Sequence, residues 1–114
     1  MIDKRRLKRR HLIYYLRIFD VKSGDLIGHM VDITTEGFML MSERQIEPSR
    51  TFTFRMDLPA YILGKKSIVF ETTSVWSRED INPDFFNTGF RLQNINEEEV
   101  LIIKRMIYEY GFRD

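Results

Sequence analysis

Two groups of side chains in this 114-residue sequence have types and spacings that could do chemistry. The first is the opening segment, where Lys4, Arg5, Arg6, Lys8, Arg9 and Arg10 face Asp3 alone, a local charge of +5. Arginines stand four apart in it twice, Arg5 with Arg9 and Arg6 with Arg10. Guanidinium groups fork onto phosphate and carboxylate and stack on planar rings, so two on one short segment can grip a compact anion. The second is Asp32-Ile33-Thr34-Thr35-Glu36-Gly37, which sets a carboxylate, a hydroxyl and a glycine around one turn. Each group also has a plainer reading. The first can be a solvated terminus, and in the second Asp and Thr can bond backbone N–H groups of their own turn.

Other chemistries find little support. With no cysteine, disulfides, thiolate zinc sites, iron–sulfur ligation and cysteine nucleophiles drop out together, and nothing asks for an oxidising compartment. A cytoplasmic location is therefore expected. His11 and His29 have no partner at metal-ligand spacing, and neither a phosphate-binding Walker loop nor a dinucleotide glycine motif is present. Carboxylates are plentiful without a pair that stands out, and core packing accounts for six scattered methionines. No catalytic residue, cofactor or metal is assigned. The apolar run Leu12–Leu16 is cut off by Arg17 and Asp20, too short for a signal sequence or a membrane span.

The elements that must position these residues are mostly strands. Composition is that of an ordinary globular chain, 43% hydrophobic and 31% charged, and no linker or repeat divides it. Residues 11–21 are rich in β-branched and aromatic side chains, and Lys22-Ser23-Gly24-Asp25 signals a hairpin to a returning strand over 26–33. A short strand at 38–42 follows the 34–37 turn. Thr51–Asp57 alternates, with Phe52, Phe54 and Met56 on one face, and Pro59 is expected to stop it. Ser67–Ser77 puts Ile68, Phe70, Thr72, Ser74 and Trp76 on one face, 78–87 reads as a loop, and Gly89–Leu92 is the last strand.

A helix then closes the chain. Asn96 and Glu99 have the spacing of a capping box, Ile95 and Val100 that of a hydrophobic staple, and Glu97–Glu99 suit the positive end of the helix dipole. Val100, Ile103, Ile107 and Tyr110, widened by Met106, form an apolar stripe that could cover the barrel or pair with another chain. Gly111 suits the position after the last turn. Six strands with short turns and a terminal helix predict a mainly β domain spanning 1–114. It comprises a flexible basic arm at 1–10, a six-stranded antiparallel barrel over 11–94 and a helix over 96–110. No helix lies between strands to make parallel crossovers.

In this order, the arginine segment and the Asp32–Gly37 turn resemble the PilZ domain, the bacterial receptor family for cyclic di-GMP. That family carries R-x-x-x-R before its first strand and [D/N]-x-S-x-x-G after its second. The resemblance runs over the whole chain, including the strand ending in Trp76, the Gly-Phe-Arg strand and the C-terminal helix. It implies a non-catalytic receptor whose arm folds over the barrel and signals to a protein partner. Arg6 and Arg10 take the motif register, because Arg10 immediately precedes the first strand; Arg5 and Arg9 are auxiliary or alternate contacts.

Asp32 could then accept hydrogen bonds from guanine N1–H and N2–H, and Thr34 could bond ligand polar groups. Gly37 would permit positive φ and close backbone approach. Trp76 reads as a core residue on its strand face, with guanine stacking as the alternative that the family's large side chain at this strand end implies. Two residues depart from the pattern. Thr34 replaces serine and adds a methyl, and Glu36 brings a negative charge into the turn. The alternative reading is therefore a PilZ-like adaptor without nucleotide binding, acting through protein contacts in motility or pilus machinery. A nucleic-acid clamp is a further rival, but residues 11–114 hold 12 basic and 16 acidic side chains, so the acidic body offers no second basic patch.

Overall fold

The computed structural model describes residues 10–110. Six strands form a closed antiparallel barrel: β1 (Arg10–Asp20), β2 (Leu26–Ile33), β3 (Gly37–Ser42), β4 (Thr51–Ile62), β5 (Lys65–Glu79) and β6 (Phe86–Gln93), followed by α1 (Glu97–Tyr110). Around the barrel the order is β1-β2-β3-β6-β5-β4. Every neighbouring pair is antiparallel. One end of the barrel therefore gathers the start of β1, the β2–β3 turn, the end of β6 and the β4–β5 turn.

The interior is filled as strand alternation demands. Leu16, Ile18, Met30, Leu40, Phe54, Met56, Ile68 and Phe70 point inward. Phe38 stacks on Phe90 with centroids 4.9 Å apart, and Phe54 meets Phe90 edge-on at 5.4 Å, geometries that favour aromatic pairs. The capping box is formed: Asn96 N–H donates to Glu99 Oε1 at 3.1 Å, and Glu99 N–H to Asn96 Oδ1 at 2.8 Å. The helix buries Ile102, Ile103 and Met106, leaving Val100, Ile107 and Tyr110 half-buried. Its core-facing stripe is thus turned toward Ile102 relative to the expected one, and it covers the barrel. Gly111 lies outside the described residues. No described helix is long and apolar enough to cross a membrane.

Three local expectations are corrected. Pro59 does not stop β4, which runs on to Ile62. The β4–β5 register is interrupted between Asp57 and Ile62, so the missing N–H of Pro59 removes no ladder bond there. Strand β5 reaches Glu79, and β6 begins at Phe86, so the loop expected over 78–87 shrinks to 80–85. The third correction concerns Trp76. A register shift between Ser74 and Trp76 makes Val75 a bulge residue. The alternation resets: Ser77, whose hydroxyl lies 2.9 Å from that of buried Thr88, takes the inward position. Trp76 is half-buried and absent from the core cluster.

Candidate functional site: a cleft at one end of the barrel

The turn Thr34–Gly37 is built by its own side chain. The Thr34 hydroxyl accepts from Glu36 N–H at 3.1 Å and Gly37 N–H at 3.2 Å, and Thr34 N–H donates to Gly37 O at 2.8 Å. Leu92 N–H then ties the turn to β6 through Glu36 O at 2.8 Å. Thr34 therefore does local turn chemistry, with both lone pairs of its hydroxyl engaged.

Gly37 is needed for one of its two expected reasons only. Among the described residues the positive-φ glycines are Gly24 and Gly64, so Gly37 does not use left-handed backbone. Close approach is what requires it: a Cβ there would stand 2.2 Å from the carbonyl oxygen of Phe90.

Asp32 is 1% exposed. A register shift between Met30 and Asp32 breaks the alternation of β2, so Met30, Val31, Asp32 and Ile33 are all buried in succession. A carboxylate this far from water is stable only with donors or a cation facing it. Its ladder partner on β1 is His11, and Ile33 pairs with Arg10. The chain thus enters the barrel one residue earlier than expected, with Arg10 inside the first strand and one ladder step from Asp32. Arg5, Arg6 and Arg9 lie outside the described residues.

These elements surround a cleft of about 540 Å³, within the roughly 300–1,000 Å³ range of small-molecule sites. Asp32, Thr34 and Gly37 form one wall, and Trp76, Gly89 and Arg91 the other. The indole of Trp76 lies against Gly89, and the guanidinium of Arg78 sits 4.4 Å from the centroid of the Trp76 ring, a cation–π distance. The sequence did not point to Arg91 as a residue of this cleft. It pairs with Gly37 across β3–β6 and brings an exposed guanidinium to the cleft. Only the strand register places it there.

The fold is shared with solved structures. The PilZ domain with c-di-GMP of YcgR from Escherichia coli matches with a TM-score of 0.70 at 14% identity, over 95% of this chain and 92% of that one. The Bacillus subtilis inhibitor of motility (MotI/DgrA) matches with a TM-score of 0.67 at 13% identity, over 95% of this chain and 53% of the other. A PilZ domain of CeSA from a cellulose-synthesizing bacterium gives 0.55 at 10% identity, over 90% of this chain and 96% of that one. No curated protein matches the sequence. The family assignment rests on the sequence itself, which matches the PilZ domain over residues 3–109: the chain belongs to the PilZ domain family.

Proposed function

We propose that this protein is a non-catalytic cyclic di-GMP receptor whose basic segment folds over the barrel on ligand binding and presents a changed surface to a protein partner in the cytoplasm. One observation carries the reading. The Asp32–Gly37 turn, Trp76 and Arg91 share a cleft at the barrel end where Arg10 opens β1 beside Ile33. Arg6 and Arg10 would pair with the ligand's phosphates or guanine edges, and Asp32 would accept from guanine N1–H and N2–H. Trp76 would offer its ring for stacking. Thr34 and Gly37 act by fixing the shape of the turn, and Arg5 and Arg9 add charge. The ligand shifts the population of the basic segment toward the barrel-bound form. Ordering about six residues costs on the order of 6–12 kcal/mol of backbone entropy, so several charge-assisted contacts must act together. The solved YcgR domain, described with c-di-GMP, supports the choice of ligand.

Isothermal titration with cyclic di-GMP, with GMP as control, tests this. Saturable binding near one or two ligands per chain is expected. Absence of both heat and thermal shift at high ligand concentration would favour a protein-binding adaptor instead. That second reading has its own observation: the Thr34 hydroxyl is engaged by its own turn, and Glu36 is exposed on the cleft wall.

A further inference from the structure

Helix α1 lies against the barrel through Ile102, Ile103 and Met106, and its opposite face carries a second pattern. Glu97, Leu101, Lys104 and Tyr108 follow one another at alternating steps of four and three residues, the spacing of a heptad seam. All four are exposed, Leu101 at 56% and Tyr108 at 68%. Along one flank of this seam Val100 and Ile107 are half-buried, and along the other Glu98 and Arg105 are exposed. Charge is divided along the axis, with Glu97–Glu99 in the first turn and Lys104 and Arg105 in the second half. Arg105 has only a loose pair with Glu109, at 3.9 Å.

We propose that this face joins two copies of the chain through an antiparallel, two-fold contact between their α1 helices. With the axis midway between Leu101 and Lys104, Leu101 lies opposite Lys104 of the second copy and Glu97 opposite its Tyr108. On one flank Glu98 meets Arg105 of the second copy, and on the other Val100 meets Ile107. The axis repeats each contact, as an isologous interface requires. Acidic groups therefore meet basic ones and apolar groups meet apolar ones. Lys104 lays its aliphatic stem on Leu101 while its ammonium reaches water. A parallel pairing would set Glu97–Glu99 against the same three residues, and Lys104 and Arg105 against theirs, so charge selects the antiparallel one. That arrangement also opposes the two helix dipoles favourably. Lys65 of β5 already stands 3.0 Å from Glu98 Oε1, so Arg105 of the second copy would complete a three-residue ion network around that carboxylate. The face matches itself at every position of the seam and both flanks, which favours a second copy over an unrelated helix.

The contact uses no residue lining the nucleotide cleft and is tested without nucleotide, by sedimentation velocity of the full chain over a micromolar concentration series. The wild type should show a monomer–dimer equilibrium that weakens as salt rises. Arg105→Glu sets like charges face to face twice and should raise the dimer dissociation constant by about tenfold or more. Glu98→Arg alone should act in the same direction. Combining the two exchanges the charges across the contact and should restore most of the association. Because these side chains are exposed, Tm should stay near that of wild type in all three variants. A wild type that remains monomeric throughout the series overturns the inference. So does a dimer that Arg105→Glu leaves intact, or a double variant that associates no better than Arg105→Glu.

Discussion

Trp76 lies so close over Gly89 that a Cβ on the glycine would stand 2.4 Å from Cε2 and Nε1 of the indole. The bulge at Val75 turns the ring out of the interior, and Gly89 provides its seat on the outer wall. Gly89→Ala should therefore displace the indole rather than perforate the core. As the only tryptophan, Trp76 reports this directly through red-shifted emission and stronger acrylamide quenching. If guanine stacks on the ring, loss of about 1 kcal/mol of aromatic contact should weaken cyclic di-GMP binding several-fold. Emission identical to wild type would show that the ring does not depend on this seat.

Gly37 makes a different kind of demand. Its methyl would meet the Phe90 carbonyl oxygen, a backbone atom fixed in the β3–β6 ladder, so neither partner can turn away. Gly37→Ala should cost about 2–3 kcal/mol, at the upper side of overpacking effects. Gly24→Ala tests the contrast, since nothing lies within 4 Å of its Cβ position and only its φ of +78° opposes a side chain; about 1 kcal/mol is expected there. Urea denaturation of the two variants separates the cases, and equal losses would contradict the steric account.

Local rules were enough where neighbours in sequence decide the structure. The Asn96–Glu99 box, the alternation from Thr51 to Asp57 and the hairpin around Gly24 needed no partner strand to be read. What escaped depends on strands distant in sequence. The bulges at Val31 and Val75 exist because β3 and β6 impose a register, and they set the orientation of Asp32 and Trp76. Pro59 was tolerated because the β4–β5 ladder is interrupted around it. Arg91 reaches the cleft only by standing opposite Gly37. The Asp32–Gly37 segment was therefore legible as a turn, whereas the wall facing it was not.

The engaged hydroxyl of Thr34 divides stability from binding. Thr34→Val removes the acceptor for two N–H groups, those of Glu36 and Gly37, and should destabilise the fold by about 1–3 kcal/mol. Thr34→Ser retains the acceptor and removes the methyl, so stability should stay within about 0.5 kcal/mol of wild type. Its cyclic di-GMP affinity should equal or exceed that of wild type, because serine restores the family pattern. Weaker nucleotide binding by the serine variant would show that the methyl contributes to the ligand site.

Charge on the exposed loop after β5 gives a pH prediction. The side-chain amide of Asn87 donates to Asp80 at 2.8 Å, and Asn82 N–H adds a second bond, which together hold the Asp80 carboxyl below its ordinary value of 3.8. A carboxyl depressed on folding contributes stability above its unfolded pKa and loses it as pH falls through the lower folded value. An NMR titration should place the Asp80 midpoint below 3.8, and Asn87→Ala should move it upward. An unmoved midpoint would mean that Asn87 is not the main cause.

The arginine register is decided by affinity measured against stability. Arg10 occupies the first ladder position of β1, opposite Ile33, whereas Arg6 precedes the strand. Alanine keeps the backbone bonds of the ladder, so Arg6→Ala and Arg10→Ala should leave Tm close to wild type. Each should weaken cyclic di-GMP binding by about tenfold or more, since charge-assisted hydrogen bonds contribute about 1.5–3 kcal/mol. Arg5→Ala and Arg9→Ala should weaken it less and should mainly reduce its salt dependence, as expected of groups acting through long-range charge. Affinity unchanged in Arg6→Ala, in Arg10→Ala and in the double variant would remove this pair from the site. A larger loss in the Arg5 and Arg9 variants would assign the contact to the other register.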